Sequence, residues 1–145
     1  MDEILTRFET ACRESGLKLT HQRFEIYKEL LLATDHPSAD TLFLRLKDRF
    51  PALSRDTVFR TLSTLADHGL IAKVDTLESV ARYEVALRRH HHFICRRCGV
   101  IVDFVWPEIE TMRLPSSVAS CGQVDQTSLV AHGICEACLK SRKQS

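Results

Sequence analysis

The chain has 145 residues, of which 44% are apolar and 27% charged, with a formal net charge of +1. That length and balance suit one ordinary domain or two small ones with a real core, and they argue against global disorder. No apolar run approaches the roughly 18 residues that span a bilayer, and the small net charge excludes a bulk basic field for nucleic acid.

The opening MDEILTRFET is acidic and amphipathic and has no basic stretch before an apolar core, so no secretory leader is expected. A cytoplasmic location is the corresponding expectation. In a reducing compartment the six cysteines read as metal ligands or free thiols before disulfides. Residues 1–83 carry 12 Lys/Arg against 13 Asp/Glu, and residues 84–145 carry 8 against 6. Any DNA contact must therefore come from local basic positions.

Residues 3–15 place Ile4, Leu5, Phe8, Ala11 and Cys12 on one helical face, with Gly16 as the stop. Thr20 caps a second predicted helix bearing Phe24, Ile26, Tyr27, Leu30 and Leu31. Pro37 breaks it at His36. Ser38 caps a third helix with Leu42, Phe43, Leu46 and Phe50, which Pro51 ends. Ser54 caps a fourth, SRDTVFRTLSTLADHG, with Val58, Leu62 and Leu65 inward and Gly69 as its stop. Residues 70–74 and 80–86 then alternate around a polar turn and predict a hairpin. Helices followed by a two-stranded hairpin are the order of a winged helix-turn-helix. The division is placed at 1–83 and 84–145. The second part predicts strands near 91–94 and 100–105, a short helix at 107–114, a strand near 123–131 and a final helix from about 135.

Cys95-x-x-Cys98 and Cys135-x-x-Cys138 are two metal-binding knuckles separated by 36 residues. Four thiolates in a tetrahedron make a structural zinc site, and ordinary free or buried cysteines are the weaker account of two such pairs. Iron in a rubredoxin-like arrangement is a minority alternative. Thioredoxin-type chemistry is weaker still, because neither pair opens a helix after a buried strand. Cys12 reads as core and Cys121 as a turn residue, and neither is given a role.

The histidines need a separate account. In a strand beginning near His90, His90 and His92 point to one face and His91 to the other. Glu84, Asp103 and His36 are available to complete a sulfur-free site, which suits Fe²⁺, Mn²⁺ or Zn²⁺. Spacing alone leaves this site and a solvated histidine patch on equal terms.

The segments HPSADTLFLRLKDRFPALSRDTVFRTLSTLADHGLI, RYE, HHHFICRRCGVIVDF and HGICEAC occur together in order. Over about residues 19–138 the chain resembles the ferric uptake regulator family of bacterial metal-dependent repressors. The resemblance implies an α+β protein and a homodimer bound to double-stranded operator DNA. Each subunit would have an N-terminal winged helix-turn-helix and a small α/β dimerisation domain with a structural zinc. It implies structural Zn²⁺ on Cys95, Cys98, Cys135 and Cys138. It implies a regulatory Fe²⁺ or Mn²⁺ on His36, Glu84, His90, His92 and Asp103, joining the two domains. Arg60 becomes the candidate reader of a guanine edge, with Arg55, Thr57 and Phe59 on the same helix and Arg23 on phosphate.

The family's branches differ in what they sense. Asp103 and the loop lengths around the histidines resemble the peroxide sensors. Glu84 resembles the iron sensors, and Arg60 stands where some peroxide sensors carry Asn. Zinc sensors often carry Cys at the position of Glu84. The further site of many iron sensors is incomplete here, with Arg89 and His91 at its positions. A peroxide-sensing repressor is the expected function and an iron-responsive one the runner-up. Outside the family, a zinc-stabilised interaction module is the alternative. An enzyme is not expected, since a zinc hydrolase needs an open ligand position and a glutamate base, and the deaminase H-x-E signature is absent. Neither a membrane nor a small-molecule substrate is implied.

Overall fold

The computed structural model describes residues 1–143. The chain divides into two compact units, with the boundary between Ala86 and Leu87. The sequence places that boundary after residue 83. The three residues belong with the first unit because Glu84 completes a strand there and Val85 packs on its core.

The first unit begins with four helices, α1 (Asp2–Glu14), α2 (His21–Leu32), α3 (Ala39–Leu46) and α4 (Arg55–Asp67). Three of them start as the sequence predicts. The hydroxyl of Thr20 accepts from the Arg23 amide at 3.2 Å, Ser38 from Thr41 at 3.2 Å and Ser54 from Thr57 at 3.1 Å. Each such cap is worth about 1 kcal/mol. The apolar faces meet in one core, in which Ile26, Leu42, Leu46, Val58, Leu62 and Leu65 are wholly buried. Phe8 of α1 stacks on Tyr27 of α2, with ring centroids 3.7 Å apart.

Helix α3 is shorter than predicted and ends at Leu46 instead of running to Pro51. The amides of Arg49 and Phe50 both converge on the Leu46 carbonyl at 3.1 and 3.0 Å, which tightens the chain into a turn. The hairpin strands are also shorter, β1 (Ala72–Val74) and β2 (Arg82–Glu84). Leu70 is spent closing α4, donating its amide to the Leu65 carbonyl at 2.9 Å. The strands pair antiparallel with Ala72 opposite Glu84, forming the wing.

The second unit contains β3 (His91–Cys95), β4 (Ile101–Phe104), α5 (Pro107–Thr111), α6 (Ser116–Ala119), β5 (Val130–Gly133) and α7 (Glu136–Lys143). Its sheet has the order β4-β3-β5, antiparallel on one side of β3 and parallel on the other. The helix predicted over 107–114 stops at Thr111, because Pro115 disfavours helix at Leu114, and a separate turn of helix follows. The strand predicted near 123–131 is replaced by β5 alone. Residues 123–129 form an exposed loop whose run of Gln, Asp, Thr and Ser offers no buried face. Gly133 lets β5 approach β3 closely, since a Cβ there would lie 2.9 Å from the Phe93 ring and the ring would have to shift.

Burial is thin in this unit. Ile94, Cys95, Ile101 and His91 are its buried side chains among the described residues, while Val102, Val105, Trp106, Val118 and Val124 are exposed. No helix among the described residues is long and apolar enough to cross a membrane.

Leu62 lies wholly buried at the centre of the first unit. Leu62→Ala should lower its stability by about 2–5 kcal/mol in urea unfolding. A loss below about 1 kcal/mol would mean that the helices do not converge on this side chain.

Candidate functional site

The sequence's two cysteine pairs converge. Cys95 closes β3, and the chain reverses at once, with the Gly99 amide on the Cys95 carbonyl at 3.0 Å and Gly99 at φ +75°. The second pair enters from the end of β5 and runs into α7. The four sulfurs lie within 4.8 Å of one another. Two of the separations are 3.9 Å (Cys95 to Cys138) and 3.7 Å (Cys98 to Cys135). A tetrahedron of sulfurs about 2.3 Å from a zinc ion has edges of about 3.8 Å, so the donors fit such an ion.

The thiols are electrostatically inequivalent. Amides of Cys135 (3.3 Å) and Arg97 (3.4 Å) point at the Cys95 sulfur. The Cys135 amide foremost, then that of Cys98, with Arg97 contributing less, lowers the Cys95 thiol to about 6. Cys138 is pushed up to about 12, first by its hydrogen bond with Cys135 and then by burial. Holding all four sulfurs as thiolates would require a cation among them. Of the remaining cysteines, Cys12 is buried in the first unit's core, and exposed Cys121 donates to the Ser117 carbonyl at 3.1 Å.

The sulfur-free donors form one group in each unit. In the first, His36 Nε2 stands 3.0 Å from Glu84 Oε2. His36 is buried and carries φ +49°. Arg82 holds it there, donating Nε to the His36 carbonyl and Nη2 to the Asp35 carbonyl at 2.8 Å. Sequence reasoning missed Arg82. The available signal was its alternation with Glu84, which puts both on one face of the strand.

In the second unit, His90 Nε2 and His92 Nε2 are 3.1 Å apart. Asp103, opposite His92 in the β3–β4 register, brings Oδ1 within 3.4 Å of His92 and 3.8 Å of His90. Two cis ligands about 2.1 Å from one ion stand about 3.0 Å apart, so both groups have spacing that suits shared coordination. His91 does point away from this group. It is buried, its ring lies against Phe104, and Nδ1 accepts the Leu129 amide at 3.0 Å. That bond ties the start of β5 to β3 and makes His91 a structural residue.

The predicted DNA-facing side chains lie on α4 and at the start of α2. Lys18, Thr20, Gln22, Arg23, Thr57, Arg60, Thr61 and Thr64 line an open groove of about 420 Å³. Lys18 was not among the expected residues. Arg60 is exposed and pairs with Asp56 one turn earlier. Phe59 is 48% exposed. Arg23 donates to the Lys18 carbonyl at 2.5 Å and so shapes the groove's edge. Arg55 is the exception. Its guanidinium pairs with Asp40 and lies 4.8 Å from the Phe43 ring centre, which engages it with α3.

The model of the ferric uptake regulator family matches residues 14–132. The peroxide-responsive repressor PerR of Staphylococcus saprophyticus is 30% identical over 129 residues, 89% of this chain and 87% of that protein. Among solved structures, the ferric uptake regulator of Helicobacter pylori superposes with a TM-score of 0.78 at 28% identity, covering 95% of this chain and 93% of the other. The peroxide-sensing PerR of Streptococcus pyogenes gives 0.54 at 26% identity over 92% of each chain. A winged-helix unit, a small α/β unit with a four-cysteine cluster, and a match across most of the sequence lead to one conclusion: this chain belongs to the ferric uptake regulator family.

Proposed function

We propose that this protein is a cytoplasmic, homodimeric, metal-dependent repressor that releases operator DNA when peroxide oxidises its regulatory site. Cys95, Cys98, Cys135 and Cys138 hold a structural Zn²⁺. His36, Glu84, His90, His92 and Asp103 hold an exchangeable Fe²⁺ or Mn²⁺. The observation that carries the reading is the separation of donors, with every sulfur of the cluster committed to a closed site and a set of imidazoles and carboxylates left for a harder ion.

An ion taking both sulfur-free groups restrains one unit against the other. The two α4 helices of a dimer then hold the spacing that successive major grooves require. Arg60 reads a base edge, with Thr57 and Phe59 beside it and Lys18 and Arg23 toward phosphate. The exposed Val102, Val105, Trp106 and Val118 of the second unit supply apolar surface for a second copy. No turnover of a small-molecule substrate is part of this role, and Arg55, exposed and paired with Asp40 as Arg60 is with Asp56, adds a second cation for DNA on α4.

Fe²⁺ held by these residues would supply the redox chemistry that activates peroxide, while the net electrons come from the imidazole that is oxidised. His36 and His90 are the side chains that take the product oxygen. In net terms one peroxide is reduced to water while one imidazole C–H is oxidised and gains one oxygen atom. The modified ring is a poor ligand, and the restraint between units is lost. Relatives named peroxide-responsive repressors support this reading. Glu84, and the higher TM-score with an iron-uptake regulator, favour iron sensing as the second reading.

Replacing Cys138 with Ser should remove the zinc and disrupt the second unit, because binding at such a site is largely folding free energy. Native mass spectrometry would show a zinc-free monomer, and a folded zinc-free dimer would contradict the assignment. For peroxide, the Fe²⁺ form should lose DNA binding and gain one oxygen on the peptides holding His36 or His90, while the Mn²⁺ form stays unmodified. Unmodified peptides with persistent DNA binding in the Fe²⁺ form would favour the iron-responsive reading.

A further inference from the structure

Strand β2 is three residues long, and its alternation separates two tasks. Tyr83 turns inward, 5% exposed, and anchors the wing in the core. Arg82 and Glu84 share the other face. Glu84 meets His36, and Arg82 grips the chain that carries it. One guanidinium donates to two consecutive carbonyls, Asp35 and His36. The Tyr83 amide adds a bond to the Pro37 carbonyl at 3.1 Å, and Ser38 pairs with Arg82 as an isolated bridge.

This grip matters because His36 sits at φ +49°. That conformation is uncommon outside glycine, although histidine adopts it more readily than most residues, and the contacts around His36 hold it there. From the other side, Arg45 of α3 holds the Asp35 carboxylate at 2.5 and 3.2 Å. The segment from Asp35 to Ser38 is thus fixed between β2 and α3, the helix that packs on α4.

We propose that Arg82 is a positioning residue for the regulatory ion. It does not touch the ion. It holds the His36 imidazole where it and Glu84 can share one ion, so that this half of the site is built before metal arrives. The proposal rests on the reading of His36 and Glu84 as ligands. Arginine is needed because a planar fork reaches both carbonyls at once, whereas a lysine offers one point charge.

The test is a Mn²⁺ titration of the zinc-loaded protein, followed by the electron paramagnetic resonance of free Mn²⁺. Wild type is compared with Arg82→Ala, Arg82→Lys and His36→Ala. Zinc content and thermal unfolding are measured alongside. Arg82→Ala should weaken Mn²⁺ binding by about 10- to 100-fold, as loss of a ligand-orienting partner does elsewhere. Zinc content should not change, and Arg82→Lys should fall between. Saturating Mn²⁺ should restore Arg82→Ala to wild-type affinity for a duplex selected from random sequence, because only the fraction of competent sites has fallen. If Arg82→Ala binds Mn²⁺ as wild type does while His36→Ala does not, the role of Arg82 is overturned and the ligand reading stands. If His36→Ala also binds normally, the ligand reading itself fails. A DNA defect in Arg82→Ala that persists at saturating Mn²⁺ would make Arg82 a DNA contact or a fold residue, and would overturn the proposal.

Discussion

Four thiols within 4.8 Å of one another cannot all ionise without a cation between them, and the second unit is built around that constraint. Its sheet has three short strands and few buried side chains, so apolar burial alone gives it little to stand on. The cysteines tie the end of β3 to the turn after it and to the start of α7. The inequivalence of Cys95 and Cys138 is the electrostatic trace of this crowding: backbone amides favour one thiolate, and its neighbours then oppose the last. A divalent ion reverses that opposition, which makes the cluster a closed structural site.

Committing the sulfurs has a chemical consequence for the rest of the protein. The donors left over are imidazoles and carboxylates, and they are mounted on stiff elements: β2 and the segment fixed against it in one unit, β3 and β4 in the other. Such donors bind harder ions less tightly than thiolates bind zinc, which suits an ion that must come and go. The local geometry is strained at His36 and heavily supported around it. Strain kept in place by several hydrogen bonds is a recurrent property of functional positions.

Much of this was legible in the sequence, for identifiable reasons. Ser and Thr caps, glycine stops and apolar periodicity are local signals, and α2 to α4 begin where the predicted caps stand. The C-x-x-C pairs announced their convergence because thiolate pairs at that spacing have few other uses in one chain. The His-x-His alternation correctly separated His91 from its neighbours. What failed was non-local or depended on length. Nothing in residues 123–131 says that pairing with β3 begins only at Val130, because the register is set by the partner strand. The partners of Arg55 were also out of reach of a local reading, since only the packing of α3 on α4 puts Asp40 and Phe43 beside it. Alternation put Arg82 on the face of Glu84, but what it holds left no local signal, because its partners are backbone carbonyls 46 and 47 residues away.

The central claim is that a second, exchangeable ion on His36, Glu84, His90, His92 and Asp103 governs DNA binding. The most direct measurement is fluorescence anisotropy of a selected duplex against the zinc-loaded dimer as Mn²⁺ is added, for wild type and His92→Ala. The account predicts weak binding without Mn²⁺, saturable tightening in wild type, and no tightening in a His92→Ala dimer that is folded and retains its zinc. Equal DNA affinity with and without Mn²⁺ in the wild-type protein would contradict it.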